Sequence, residues 1–173
     1  DALLLALQAH DIGPGDDVIT VSHTAVATTA SIELSGARPV FIDVDPLTFT
    51  LDPARLPETL SPGTKAIIPV HLYGQPANMG EVMAFAKAHN LIVIEDCAQA
   101  YLSQVNRRFV GTIGDIGCFS LQQGKHITAG EGGLVVTHNA DYARRMFLFI
   151  NKAWGYGDAN PDHYFLALNY RMN

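Results

Sequence analysis

The feature that most constrains this chain is a set of short, unbroken apolar runs, "AIIPV" at 66–70 and "LIVI" at 91–94 among them. A strand with one face in water alternates apolar and polar residues, so a run apolar at every position must be covered on both faces. Extended segments are expected at 17–21, 39–43, 65–70, 91–95, 116–121 and 133–137. Helical periodicity is clearest at 3–9, 24–35, 79–89 and 141–150. Strands and helices therefore alternate, which predicts an α/β fold with a mostly parallel sheet and helices on both faces. No repeat, low-complexity tract or linker divides residues 1–173.

Composition narrows the function. With 48% hydrophobic residues the chain has material for a sizeable core, and its longest apolar runs fall far short of the ~20 residues of a membrane span. Seventeen acidic against eleven basic residues give a net charge of -6, which argues against a broad nucleic-acid-binding face. Cys97 and Cys118, the two cysteines, both lie in apolar sequence, so neither a disulfide scaffold nor a four-ligand zinc site is expected, and the natural compartment is the cytoplasm. The chain opens on "DALLLALQAH", already amphipathic, and stops at "NYRMN". It is expected to be a fragment of a longer protein.

In open sheets of this class ligands bind beyond the carboxyl ends of the strands. After "LIVI" comes "EDCAQA", where Asp96 can hold a cationic ligand nitrogen and Gln99 can reach the same ligand. Taken alone, Asp96 reads more simply as a cap for the segment that follows. A second signal is "FSLQQGKHITAGEGGLVV", in which Lys125 sits between two apolar strands and is expected to be partly desolvated. Desolvation lowers an ammonium's pKa from ~10.4 toward the range of a nucleophilic amine. A P-loop would need glycine at 119 and Ser or Thr at 126, where the chain has Phe119 and His126. Pyridoxal phosphate, by contrast, uses a lysine that binds its aldehyde and an acid that keeps its ring nitrogen protonated, parts that Lys125 and Asp96 fit.

From "DIGPGDDVIT" through "GARPVFIDVDPLTFTLDP", "AIIPVHLYGQPANM", "VIEDCAQA" and "GDIGCFSLQQGKHITAGEGGLVVT" to "NYRMN", practically the whole chain resembles the DegT/DnrJ/EryC1/StrS aminotransferases. The joint occurrence of "HLYGQP", "EDCAQA" and "FSLQQGKHITAGEGG" in that order makes the resemblance specific. It implies a PLP-dependent transferase of fold type I, like aspartate aminotransferase, with residues 1–173 as the cofactor-binding large domain and a small carboxyl-terminal domain outside the chain. By resemblance, Lys125 is the imine-forming lysine, Asp96 the pyridinium partner, Gln99 the residue beside the ring hydroxyl and Ser120 a phosphate ligand. Asn169 resembles the asparagine that reaches the cofactor phosphate of a neighbouring subunit, which implies a homodimer with shared sites. Many relatives carry a large aromatic at the position of Ala25, so here His23 is expected to cover the cofactor ring.

The activity so implied is transfer of an amino group from glutamate or glutamine to the ketone of a nucleotide-linked sugar or an inosose-type cyclitol. Family dehydratases carry histidine in place of the lysine, and a non-catalytic regulator retaining the scaffold is the other rival. Lys125 favours transamination. Other residues keep two readings each. His71 and Tyr73 line the substrate side or pack locally, and His126 is a catalytic neighbour of Lys125 or points away from it. Arg107 and Arg108 read as a solvated turn, Glu131 as a loop acid, and Trp154 as part of a loop at the substrate mouth or subunit boundary. The seven histidines show no metal-ligand spacing.

Overall fold

In the computed structural model, which describes residues 1–172, the chain runs α1 (Ala2–Ala9), β1 (Asp17–Val21), α2 (Val26–Ser35), β2 (Arg38–Ile42), β3 (Thr64–Ile67), α3 (Met79–His89) and β4 (Ile92–Asp96). It continues through β5 (Gln104–Val105), β6 (Arg108–Phe109), β7 (Ile116–Ser120), β8 (Gly133–Thr137) and α4 (Ala140–Ile150). Six strands make one sheet in the order β2-β1-β3-β4-β7-β8. All neighbours are parallel except β7 and β8, which are antiparallel.

Strand parity sorts the core onto two faces. Ile19, Ile67 and Val93 pack with Met79, Val82 and Ala86 of α3. The residues beside them in sequence, Val18, Ala66, Ile68 and Ile94, pack on the opposite face with Ala6 and Leu7 of α1, Ile32 of α2 and Met146 of α4. The unbroken apolar runs thus reflect a sheet covered on both sides, because successive side chains point to opposite faces and both are buried. Among the described residues no helix is long and apolar enough to cross a membrane.

Local chemistry sets the element ends. Asn78 caps α3 by accepting from the Glu81 N–H, and Asn139 caps α4 by accepting from Asp141 and Tyr142. Strand β3 ends at Ile67 rather than at Val70 as expected, because Pro69 has no N–H for the ladder. Pairing resumes one residue later, at a bridge between Val70 and Asp96. The sequence reading omitted the short 3₁₀ turn Pro53–Thr59 and the β5–β6 hairpin. The hairpin turn is Asn106-Arg107, both at positive φ, so Arg107 lies in a turn as expected while Arg108 opens β6.

Candidate active site

Because β1, β2, β3, β4 and β7 run parallel, the segments that follow them share one edge of the sheet. His23 follows β1, Phe49 follows β2, Tyr73 follows β3, Gln99 follows β4, and Lys125 follows β7. Asp96 and Ser120 are the last residues of their strands. The strand order also reverses direction between β1 and β3, the kind of switch point beside which open sheets bind ligands.

Asp96 shares the parity of Ile94 and so points toward α2. It is 6% exposed, and its two carboxylate oxygens are held separately. Oδ2 accepts from the Thr28 hydroxyl at 2.8 Å and Oδ1 accepts from the Ala98 N–H at 3.1 Å. Each oxygen keeps a free lone pair. Among the described residues no Lys, Arg or His forms an ion pair with this buried acid. A buried carboxylate without a cation is costly, so the site as built suits a cationic group on a ligand.

Lys125 lies in the loop between β7 and β8, on the wall of an open hollow of about 290 Å³ that it shares with Tyr73, Gln99, Gly124 and His126. It is half-buried, and its loop neighbours from Gln123 to Glu131 are largely exposed. Lys125 is thus partly buried, as expected of a lysine between two strands, while most of its loop stands open to solvent. Gln99 Oε1 accepts from the Tyr73 N–H at 3.0 Å, which leaves the Gln99 amide hydrogens free to donate. Ser120 Oγ accepts from the Gln122 N–H at 3.3 Å and likewise retains its own proton. Ser120 pairs with Gly133, and a Cβ on Gly133 would stand 3.2 Å from the Ala2 side chain. The amino end of α1 therefore sits beside Ser120, where backbone N–H groups favour an anion.

His23 is exposed and does not line the hollow. Its ring lies 6.2 Å from that of Tyr73 and 6.4 Å from that of Phe49, forming an aromatic rim that continues the hollow outward. Tyr73 and Phe49 are 78% and 55% exposed, and both have positive φ, unusual for aromatic residues. Asn169 is not brought to this site. It is exposed near the carboxyl end of α4, where it bridges Asn151 and accepts from the Arg171 N–H. Trp154, half-buried, packs edge-on against His163 in the same region.

A family model, the DegT/DnrJ/EryC1/StrS aminotransferase family, matches residues 1–173. The chain belongs to that family. It is 51% identical over 147 residues to UDP-N-acetyl-3-dehydro-alpha-D-glucosamine 3-aminotransferase of Acidithiobacillus ferrooxidans, a match covering 84% of this chain and 40% of that protein. It is 44% identical over 145 residues to L-glutamine:2-deoxy-scyllo-inosose aminotransferase of Streptoalloteichus tenebrarius, covering 84% and 34%. An aminotransferase structure from Psychrobacter cryohalolentis superposes with a TM-score of 0.94 at 42% identity, over 99% of this chain and 46% of that one. The expected transferase fold is thereby shown. The chain spans less than half the length of these relatives.

The sequence reading missed the most densely bonded side chain of this family member's site edge, Glu95. It has the parity of Val93 and points away from Asp96. Its carboxylate meets His71 Nε2 at 2.9 Å and accepts from the N–H groups of Gly111, Ile113 and Gly114 at 2.7–2.8 Å. His71 Nδ1 accepts from the Ala77 N–H at 3.0 Å, so Nε2 is the protonated nitrogen that donates to Glu95. Burial pushes the Glu95 carboxyl up, but hydrogen bonds from His71, Gly111 and Gly114 outweigh it and leave it below its ordinary range. His71 thereby resolves to local packing: it ties the segment carrying Tyr73 to the loop at 111–114. Cys97 completes a cluster with ligand atoms within 4.8 Å of one another. Burial and the nearby Glu95 push its thiol well above the ordinary range, which disfavours the thiolate a metal would need. No spacing rule flags Glu95 and His71, because the two meet only through the β3–β4 pairing.

A larger hollow, about 670 Å³, opens at the opposite edge among the segments preceding β1, β2 and β3, lined by Asp16, Asp17, Glu33 and Arg38 among others. Arg38 there pairs with Asp17 at 2.7 Å. It lies at the amino ends of the strands, away from Lys125 and Asp96.

Proposed function

We propose that this chain is the cofactor-binding part of a pyridoxal-phosphate-dependent aminotransferase that moves an amino group from glutamate or glutamine to a ketone on a nucleotide-linked sugar or an inosose-type cyclitol. The observation that carries the reading is the buried, cation-free Asp96 on the same sheet edge as Lys125. When bound, the cofactor supplies the electron sink that allows an amine to be exchanged for a carbonyl. Asp96 would accept a hydrogen bond from its protonated ring nitrogen. The free amide hydrogens of Gln99 donate to the ring hydroxyl, and Ser120 with the amino end of α1 holds the phosphate. Lys125 Nζ would be the covalent anchor of the cofactor and the base that moves the α-carbon proton of the amino donor. The rim of His23, Tyr73 and Phe49 screens the outer side of the hollow, with His23 covering the ring in the absence of an aromatic at 25. Asn169, which does not line this chain's own hollow, serves the site of a second subunit in a cytoplasmic homodimer.

The experiment is reconstitution of the full-length protein with pyridoxal phosphate, borohydride reduction and peptide mapping. Label on Lys125, with a visible band near ~400 nm that amino donor bleaches, is the expected result. Label on another lysine sinks the assignment. Asp96→Asn removes the charge facing the ring. At ~1.5–3 kcal/mol for a hydrogen bond to a charged group, amino transfer should slow by about ten- to a hundredfold. Turnover at the parental rate makes Asp96 structural only.

A further inference from the structure

Thr28 lies on the first turn of α2 and is fully buried, 68 positions before Asp96, and its hydroxyl meets Asp96 Oδ2 at 2.8 Å. A threonine inside a helix ordinarily returns its hydroxyl proton to a backbone carbonyl three or four residues back. Thr28 does not. The residue four back is Thr24, and the partner there is its hydroxyl, 2.8 Å away, rather than its carbonyl. The direction of both bonds follows from counting protons. An ionised carboxylate only accepts, so Thr28 spends its single proton on Asp96, and the Thr24 hydroxyl must then be the donor to Thr28. The chain is Thr24 to Thr28 to Asp96, each bond polarising the next. Valine would fill the same volume, so packing alone does not call for a hydroxyl at 28.

We infer that Thr28 is a positioning residue for Asp96, fixing the carboxylate's orientation toward the cofactor ring and limiting how strongly it competes for the ring proton; this rests on the cofactor reading above. With Thr28 on Oδ2 and Ala98 on Oδ1, rotation of the carboxylate is blocked at both oxygens. One lone pair on each remains for a ring N–H. A carboxylate already accepting a hydroxyl proton is a weaker base, so the shared proton stays on the ring nitrogen. Without Thr28 the proton shifts toward Asp96, and the carboxylate is anchored only at Oδ1.

The test uses the full-length protein loaded with pyridoxal phosphate labelled with ¹⁵N in the ring, reading the ring-nitrogen shift and the single-turnover rate with amino donor. Thr28→Val should move the nitrogen signal toward the unprotonated value and slow the half-reaction about tenfold, with donor affinity little changed. Thr24→Val should move both in the same direction by less, and Thr28→Ser should restore parental behaviour. A parental nitrogen signal and rate in Thr28→Val overturn the inference, as does a Thr28→Ser protein as impaired as Thr28→Val, which would trace the loss to the methyl group. If Thr28→Val does not fold, Thr24→Val decides: a nitrogen signal identical to the parent's overturns the relay and the inference with it. A parent that develops no cofactor band overturns both this inference and the proposed function, whereas a normal band insensitive to Thr28 overturns this inference alone.

Discussion

Replacing Glu95 with glutamine should cost this protein a large share of its stability without changing the shape of its core. Glu95 and His71 are both fully buried, and the carboxylate receives four donors: His71 and Gly111 on Oε2, Ile113 and Gly114 on Oε1. Glutamine keeps one acceptor oxygen. If that oxygen faces Ile113 and Gly114, its NH₂ is turned against the His71 and Gly111 donors. His71 cannot escape by changing tautomer, since Nδ1 is occupied by the Ala77 N–H. Two buried donors left unpaired, at ~1–3 kcal/mol each, predict a loss of about 2–6 kcal/mol, against a typical total of about 5–15 kcal/mol for a folded domain. The pH dependence has a definite sign. Folding lowers the Glu95 pKa, so its contribution is fully present above the unfolded value near ~4.3 and is lost as pH falls through the folded value. The gap between parent and Glu95→Gln should therefore be widest near neutrality and close in acid. Urea denaturation followed by circular dichroism from pH 7 down to the acid limit measures it. A variant within ~0.5 kcal/mol of the parent at pH 7, or a gap that does not shrink in acid, would refute the argument that the ionised carboxylate holds this network.

Two further substitutions probe the frame around the site. A Cβ at Gly117, the second residue of β7, would collide with the backbone of Gly111, its carbonyl carbon at 2.6 Å; because the obstacle is main chain, Gly117→Ala should destabilise by ~3 kcal/mol or more, read as a fall in the urea midpoint. Asn139→Ala removes an oxygen that accepts from both Asp141 and Tyr142 at the start of α4, and should cost ~1 kcal/mol at unchanged denaturant slope.

By itself the sequence determined the class of fold. Runs such as "LIVI" allow few alternatives to a doubly covered strand, since an apolar side chain at every position must be buried on both faces. The segments around Asp96 and Lys125 carried enough local signal to single those residues out. Tertiary structure decided what each acid does. Glu95 and Asp96 are neighbours with the same charge, yet strand parity sends one to His71 and the amides at 111–114 and the other to Thr28. That outcome depends on which strands flank β4 and which helix lies over each face, and those are long-range facts absent from any local window. The same holds for β8, whose five residues match a strand by pattern but whose antiparallel direction follows from the return of the loop bearing Lys125. The placement of Thr28 is the clearest case. In sequence it is one small polar residue on a helix, and only the packing of α2 over the end of β4 makes its hydroxyl a partner of the acid.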